Sequence, residues 1–335
     1  MLKVAASLTA GNLRYDTHGA TVMLRRGLLP IVDRMEFRLP RGVRLETVPG
    51  DDLTLDLDGG ERAETVFTGA VGGVVRELAG ARVFGHNGGA ALAAFRPSGS
   101  FADLTVGDVV SQLCGEIGVH ANVADGPTLA RYVGCARSTA LDEVTRLLHL
   151  AGQVAAFDVE GTLTGFEGEP SEERALLYGR EVVSVEVSGP APEAAKRVVT
   201  GEGAGASGAS NALWPVSDFW AGGAPSPGPD ARLRIVHEIR TTADADAAGA
   251  AWAARHAGAL RSIRLGCWLL PAIGPNDLLQ IQDAPEDLGL GGIRVRQVIH
   301  RIDPRRGAST EVWGYDDAAA QGTLGALLGA VGGLL

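Results

Sequence analysis

The sequence has few cysteines, and this shortage excludes the frameworks that cysteine builds. Only Cys114, Cys135 and Cys267 are present, an odd number without a C-x-x-C pair. Such spacing supports neither a disulfide scaffold nor a zinc site. The opening apolar run is too short for a signal peptide, so we expect synthesis in a reducing cytoplasm.

The sequence also lacks an excess of basic residues, since its formal net charge is −10. Nucleic acid is bound through clustered Lys and Arg, so we expect no specific nucleic-acid binding. The chain is 45% hydrophobic and 21% charged, which is typical of a globular protein. With 47 glycines and 16 prolines in 335 residues, the composition predicts two or three domains rich in strands and loops.

Motifs of the common catalytic and cofactor sites are absent as well. No P-loop, H-E-x-x-H, G-x-S-x-G or EF-hand pattern occurs, and the histidines lack metal-ligand spacing. Gly203, Gly205 and Gly208 satisfy G-x-G-x-x-G, but Pro215 interrupts the segment that would have to open a helix. We interpret this match as chance and predict no catalytic residue, no cofactor and no metal. His149 lies off the apolar stripe of its predicted helix, so we expect it on the surface.

Two kinds of periodicity divide the chain. In DDLTLDLDGG, Leu53, Leu55 and Leu57 fall on one face of a strand, and similar segments broken by Gly predict a small antiparallel barrel or sandwich. Helical periodicity begins later, at T-x-x-D pairs that are typical of capping boxes. These pairs are Thr105–Asp108, Thr139–Asp142 and Thr241–Asp244. The first two predict a mixed α/β unit, and the third predicts an Ala-rich helix that packs on a sheet.

The segment GGIRVRQVIHRIDPRRGASTEVWGY predicts a hairpin. Ile293, Val295 and Ile299 alternate with Arg294, Arg296 and His300, with Val298 as the exception. We therefore expect these arginines and His300 on a solvated outer face, with a partner-facing rim as the alternative; a catalytic role for His300 is not favoured. Asp-Pro-Arg-Arg-Gly supplies the turn, with Arg305 and Arg306 at its tip.

The segment 318–335 is strongly apolar and contains two G-x-x-x-G spacings, which in lipid would favour helix dimers. Its apolar part is shorter than the roughly 20 residues that span a bilayer, so we expect no stable membrane insertion. A membrane anchor stays an alternative to a tail that packs on a partner or a neighbouring subunit. The predicted partner contacts are residues of this tail and of the hairpin tip: Leu324, Leu327, Leu328, Val331, Arg305 and Arg306.

The order of these segments resembles that of a known family. A T-V-x-D-V-V helix start fills 105–110, a helix that ends at a glycine fills 141–152, and a G-x-L-x-F hairpin fills 160–166. LPAIGPNDLLQIQ and the hairpin after it resemble that family's closing sheet. The family is the phage tail late-control-D family, the baseplate hub of contractile tails and contractile injection systems. Asn276 replaces the family's usual glycine, and Ile293 replaces an aromatic residue.

The resemblance implies an α+β, β-rich fold with two tube-type antiparallel β-barrel domains and inserted α/β units. The first barrel would be completed by strands within 180–203. The implied divisions are the first barrel, the α/β domain, a stretch of strands with a Gly/Pro-rich linker loop, the second barrel with the Ala-rich helix, and the apolar tail: 1–86, 87–170, 171–230, 231–317 and 318–335.

The resemblance further implies a structural hub and not an enzyme. Three copies would form a ring that adapts a hexameric tail tube to a trimeric central spike, with baseplate wedge components as further partners. The lumen would pass DNA or cargo without binding it, and an acidic chain suits that role. The protein would be made in the bacterial cytoplasm and assembled into a virion tail or an injection-system particle.

Two other classes of function stay open at the level of sequence. One is an enzyme, either a cell-wall hydrolase or a nucleotide-binding protein that uses the glycine segment. The other is a carbohydrate- or surface-binding β module, with Trp214, Trp220 and Trp268 as stacking residues.

Overall fold

The structure, a computed structural model, describes residues 4–16, 20–60, 62–189, 197–201 and 232–317. The described part of the first 86 residues is built of strands. They are β1 (Ala5–Ala10), β2 (Leu13–Asp16), β3 (Thr21–Gly27), β4 (Arg34–Pro40), β5 (Asp52–Asp58), β6 (Ala63–Glu77) and β7 (Gly80–His86).

An α/β unit follows. Its elements are α1 (Gly88–Ala94), β8 (Ser100–Thr105), α2 (Val106–Gly115), β9 (Ala121–Asn122), β10 (Thr128–Val133), α3 (Ala140–Leu150), β11 (Val154–Phe157) and β12 (Leu163–Phe166). The two predicted capping boxes are confirmed, because Thr105 and Thr139 each exchange hydrogen bonds with the aspartate three residues later. Helix α1 was not predicted; the side chain of Asn87 caps it.

The remaining described elements follow the α/β unit in the chain. They are β13 (Glu173–Leu177), β14 (Val182–Ser188), β15 (Arg197–Gly201), β16 (Arg232–Val236), α4 (Thr242–Leu260), β17 (Ser262–Trp268), β18 (Leu278–Gln282), a 3₁₀ turn (Glu286–Leu288), β19 (Ile293–Asp303) and β20 (Gly307–Asp316). Thr241 caps α4 through the backbone N–H of Asp244, as its T-x-x-D pattern predicts.

One sheet joins thirteen of these strands in the order β14-β17-β20-β19-β3-β4-β7-β6-β5-β1-β2, with β18 beside β19 and β13 beside β18. The pairs are antiparallel except β13 with β18, which is parallel. The β-rich α+β class is therefore confirmed. No closed sheet is found among the described strands, so the two barrels stay a prediction, as do the domain boundaries.

Three apolar cores lie along this sheet and the α/β unit. The first core, under β1 to β7, buries Leu53, Leu55 and Leu57, which confirms the alternation in that strand. A second core lies between β17, β18, β19 and β20. The third belongs to the α/β unit and also takes in Ala245 and Ala248. Helix α4, which we expected in the second barrel, therefore shares its core with the α/β unit.

Strand pairing after the α/β unit differs from the expected completion of the first barrel by residues 180–203. Instead, β14 pairs antiparallel with β17, in the second β region. Strand β15 pairs in parallel with β16, in a separate two-stranded sheet. These long-range pairings depend on which edge is free once the other strands have formed, and side-chain alternation carries no such information.

Candidate functional site on the β19–β20 hairpin

The β19–β20 hairpin connects the two β regions. Near its base, Ile293 pairs with Leu279 of β18. Further along, β19 pairs with β3 of the first region from Gln297 to Ile302. On its other side, β20 pairs with β17 from Ser309 to Tyr315. Because both regions share hydrogen bonds with one hairpin, it fixes their relative position.

A β-bulge in β19 decides which of its side chains are buried. The register against β20 shifts between Val295 and Gln297, which makes Arg296 the extra residue. A bulge re-aims the side chains that follow it. Val295 is buried before the bulge, whereas Val298 and His300 are buried after it and Arg296 is exposed. The shift explains why Val298 breaks the alternation in the sequence.

The expectation that Arg294 and His300 lie on a solvated face is wrong. They are 2% and 1% exposed. The Nδ1 atom of His300 lies 2.9 Å from the Oγ1 of Thr310, which accepts a hydrogen bond from the backbone N–H of Leu270. Burial and then the positive charge of Arg26 lower the pKa of His300 to about 3, so the imidazole is neutral at pH 7. His300 therefore serves as a hydrogen-bonded core residue.

Arg294 forms the joint at the base of the hairpin. Its Nε lies 3.1 Å from a carboxylate oxygen of Asp317, and this buried ion pair explains how an arginine enters the core. A second guanidinium nitrogen donates to the carbonyl of Gly168 at 2.8 Å. Nearby, Asn276 donates to the carbonyl of Glu169 at 2.9 Å. These contacts attach the chain leaving the α/β unit to the second β region.

The backbone conformation of Asn276 explains why asparagine can stand where the resembled family usually has glycine. Its φ is +69°, in the left-handed region that glycine adopts freely. Asparagine is among the few other residues that adopt this conformation at low cost. The replacement therefore keeps the turn and adds a side-chain hydrogen bond.

A second buried polar cluster joins the first β region to the α/β unit. Asp33 lies 3.6 Å from Arg26 and accepts hydrogen bonds from the backbone N–H of Gly27 and the amide of Asn87, both at 3.0 Å. Arg26 in turn donates to the carbonyl of Phe157 at 2.8 Å. Burial raises the pKa of Asp33 to about 6, against the opposing influence of Arg26 and the hydrogen bonds. Sequence reasoning missed this cluster, although a single acid in GLLPIVDRM was a signal.

The tip of the hairpin is exposed, as its turn chemistry predicts. Asp303 accepts hydrogen bonds from the backbone N–H groups of Arg305, at 2.7 Å, and Arg306, at 3.3 Å. Both arginine side chains lie in solvent. They are accessible to a partner, and their role as partner contacts stays a prediction.

A cleft of about 520 Å³, which we call the tip cleft, lies beside this turn between β19–β20 and the β1–β2–β5 edge. Its lining carries one arginine, Arg14, whose Nε lies 3.0 Å from Asp16. Four carboxylates line it: Asp16, Asp56, Asp58 and Asp303. The tip cleft is therefore acidic, with the cationic turn at its rim.

His149 does not lie on the open surface where we expected it. It is half-buried, because α4 packs over the end of α3. Arg255 of α4 donates to the His149 carbonyl at 2.7 Å. The covering helix follows more than 90 residues later in the sequence, so the periodicity of α3 alone could not reveal it.

Several predicted residues lie outside the described part of the chain. They are the tail residues Leu324, Leu327, Leu328 and Val331, the glycines Gly203, Gly205 and Gly208, and the aromatics Trp214 and Trp220. Trp268 is described and is exposed on β17.

Within residues 4–317, less the undescribed gaps, no group of three potential metal ligands comes together. Cys114, Cys135 and Cys267 are free thiols. No described helix is both long enough and apolar enough to cross a bilayer. The absence of an enzymatic role stays a prediction.

The fold is shared with several solved structures. A prophage MuSo2 43 kDa tail protein from Shewanella oneidensis has a TM-score of 0.68 at 18% identity, over 95% of this chain and 99% of that one. A tail protein from Neisseria meningitidis has a TM-score of 0.68 at 14% identity, over 94% and 97%. An Escherichia coli component of the type VI secretion system, described as similar to the T4 tail proteins gp27 and gp5, has a TM-score of 0.61 at 14% identity, over 92% and 76%.

At these identities the likeness establishes a common fold, that of phage tail proteins. No protein-family model matches the sequence. No curated protein matches it either.

Proposed function

We propose that this protein is a structural hub of a contractile phage tail or injection-system baseplate. Three copies form a ring that adapts a hexameric tail tube to a trimeric central spike. The observation that carries the proposal is the fold, which this chain shares with tail proteins along nearly the full length of both chains. The likeness to a secretion-system component related to gp27 and gp5 supports the same assignment.

The architecture supports a role in transmitting force. The thirteen-stranded sheet runs through both β regions, and the β19–β20 hairpin hydrogen-bonds to strands of each. Arg26 and Arg294 each form a buried ion pair. Each also donates a hydrogen bond to a carbonyl of the α/β unit or of the chain that leaves it, Arg26 to Phe157 and Arg294 to Gly168. Removing one partner of such a pair leaves a buried charge without compensation, so each pair resists rearrangement. A subunit that transmits force between a tube and a spike needs such fixed geometry.

The oligomeric state is the first test. Light scattering coupled to size-exclusion chromatography of the full chain should give about 104 kDa, three times the chain mass of 34.6 kDa. A ring that forms only on a tube or spike should appear on mixing with either protein. A species that stays monomeric alone and with both proteins would contradict the hub assignment.

Charge reversal at the hairpin tip tests whether this turn contacts another copy or a partner protein. Arg305→Glu with Arg306→Glu should weaken the trimer or its partner complex, because both side chains are exposed and lie at the rim of the tip cleft. Arg41→Glu is the matched control, since Arg41 also lies exposed in a turn. Equal effects of the two changes would show that the tip is not a contact.

A further inference from the structure

A second cleft, at the base of the β19–β20 hairpin, has the opposite charge to the tip cleft. This base cleft has a volume of about 640 Å³ and lies between β3, α4 and the β19–β20 base. Arginines from separate segments converge on it: Arg25, Arg234, Arg255, Arg261 and Arg296. No carboxylate lines it among the described residues. In a chain with a net charge of −10, such a concentration of positive charge is unusual.

Most of these guanidinium groups have no carboxylate partner within the part of the chain that the structure describes. Arg261 is the exception, since it lies 2.6 Å from Asp316. Arg25 donates to the side-chain oxygen of Gln297 at 3.2 Å, and Arg255 uses the carbonyl of His149. In the described part of the chain, Arg234 and Arg296 have no ion pair. The base cleft therefore presents positive charge that only one carboxylate of the described residues, that of Asp316, compensates.

Neighbouring groups respond to this charge. Burial and then the proximity of Arg234 lower the pKa of Arg255 to about 10. Burial, followed by Arg255 and Arg234, lowers the pKa of His149 to about 4. Like charges held together in a partly buried site are unfavourable unless an anion binds between them. No described carboxylate lines the base cleft, so its geometry suits an added anion.

The walls of the base cleft are aromatic and apolar. Trp252, Trp313 and Tyr315 line it beside Leu28 and Leu29. Trp313 is 37% exposed. Tryptophan, tyrosine and arginine are the residues that dominate binding energy at protein interfaces. Apolar walls with guanidinium groups between them suit a ligand that carries both carboxylates and apolar side chains.

We propose that the base cleft binds an acidic peptide segment of a partner protein, through carboxylates on Arg234, Arg255 and Arg296 and an apolar side chain against Trp313. A peptide is favoured over nucleic acid because the positive charge is confined to one cleft in an acidic chain. Nucleic acid needs an extended basic track. Arginine also matches carboxylates with two parallel hydrogen bonds, which gives a peptide carboxylate a defined orientation. The proposal does not depend on the hub assignment, since a monomer would keep the cleft.

The test is fluorescence anisotropy of the full-length protein with a labelled peptide of about twelve residues, rich in Glu with Leu at intervals. Binding in the micromolar range is expected, weakening as salt rises from about 50 to 200 mM. Arg234→Gln and Arg296→Gln should each weaken it about tenfold, since each removes one charge-assisted contact. Arg131→Gln is the matched control, because Arg131 is exposed on β10 outside the cleft. Thermal unfolding verifies that each variant is folded.

Two outcomes would overturn the proposal. The first is absence of peptide binding, or binding that Arg234→Gln and Arg296→Gln leave unchanged. The second is tighter binding, through the same arginines, of a single-stranded oligonucleotide of equal charge, which would identify a phosphate-polymer site. Light scattering on the same samples measures the oligomeric state independently of peptide binding. A failure of the peptide-binding proposal can therefore be distinguished from a failure of the hub assignment.

Discussion

Gly314 in β20 is a position where a single methyl group should be costly. It pairs with Val295 beside the bulge and lines the base cleft. A Cβ placed there would lie 2.6 Å from the carbonyl oxygen of Arg294 and 2.7 Å from a methyl carbon of Ile293. The first contact cannot be relieved by turning a side chain away from the clash, because its partner is a backbone atom. The strand must therefore shift.

The magnitude follows from these distances. Overpacking in a well-packed interior costs about 1–3 kcal/mol, and a backbone clash belongs at the upper end of that range. For a chain of 335 residues, an unfolding entropy of about 2.1 cal/mol/K per residue makes about 1 kcal/mol correspond to about 1.4 °C in Tm. Gly314→Ala, at about 2–3 kcal/mol, should therefore lower Tm by about 3–4 °C.

A matched control lies in β6. Gly73 is also a strand glycine beside a bulge, but a Cβ there would meet no atom within 4 Å. Gly73→Ala should leave Tm unchanged or raise it slightly, because alanine loses less backbone entropy than glycine on folding. Thermal unfolding followed by circular dichroism measures both. Equal Tm values for the two variants would refute the steric reasoning.

Two further predictions concern Asp33 and Asn276, whose buried side chains form the hydrogen bonds described above. Burial raises the pKa of Asp33 to about 6 in the folded protein, so its protonated form stabilises the fold. This stabilisation, about 3 kcal/mol, is fully present below about pH 4 and is lost as pH rises through 6. Asp33→Asn should remove that loss, so urea midpoints of wild type and variant should diverge between pH 4 and 7; parallel profiles would contradict it. Asn276→Ala should cost about 2–3 kcal/mol, from the lost hydrogen bond to Glu169 and a strained positive φ. Urea unfolding measures this, and a cost near zero would exclude strain.

The local elements of this fold could be predicted from the sequence. Each capping box is formed by two residues three positions apart. Thr105 and Thr139 therefore predict the starts of their helices from local sequence alone. The turn at the hairpin tip is equally local. Its Asp-Pro-Arg-Arg-Gly sequence contains both the residue that caps the turn and the glycine that follows, which adopts a φ of +89°.

The burial of charged groups could not be predicted, because their partners are distant in sequence. Arg294 enters the core to meet Asp317 and Gly168, and Asp33 is satisfied by Asn87 and Arg26. The base cleft could not be predicted for the same reason. Its arginines come from β3, β16, α4 and β19, so no window of the sequence contains the site.

The bulge at Arg296 also fixes the relation between the two clefts. Arg296 lines the base cleft and Asp303 lines the tip cleft, on one continuous strand. At about 3.3 Å per residue, the two positions lie about 23 Å apart. Straightening the bulge with Arg296 retained in the ladder would reverse the faces of the strand beyond it, turning His300 toward solvent. The basic and acidic clefts are therefore held at a set distance and orientation by the same hairpin, so a change in the bulge acts on the tip cleft as well as the base cleft.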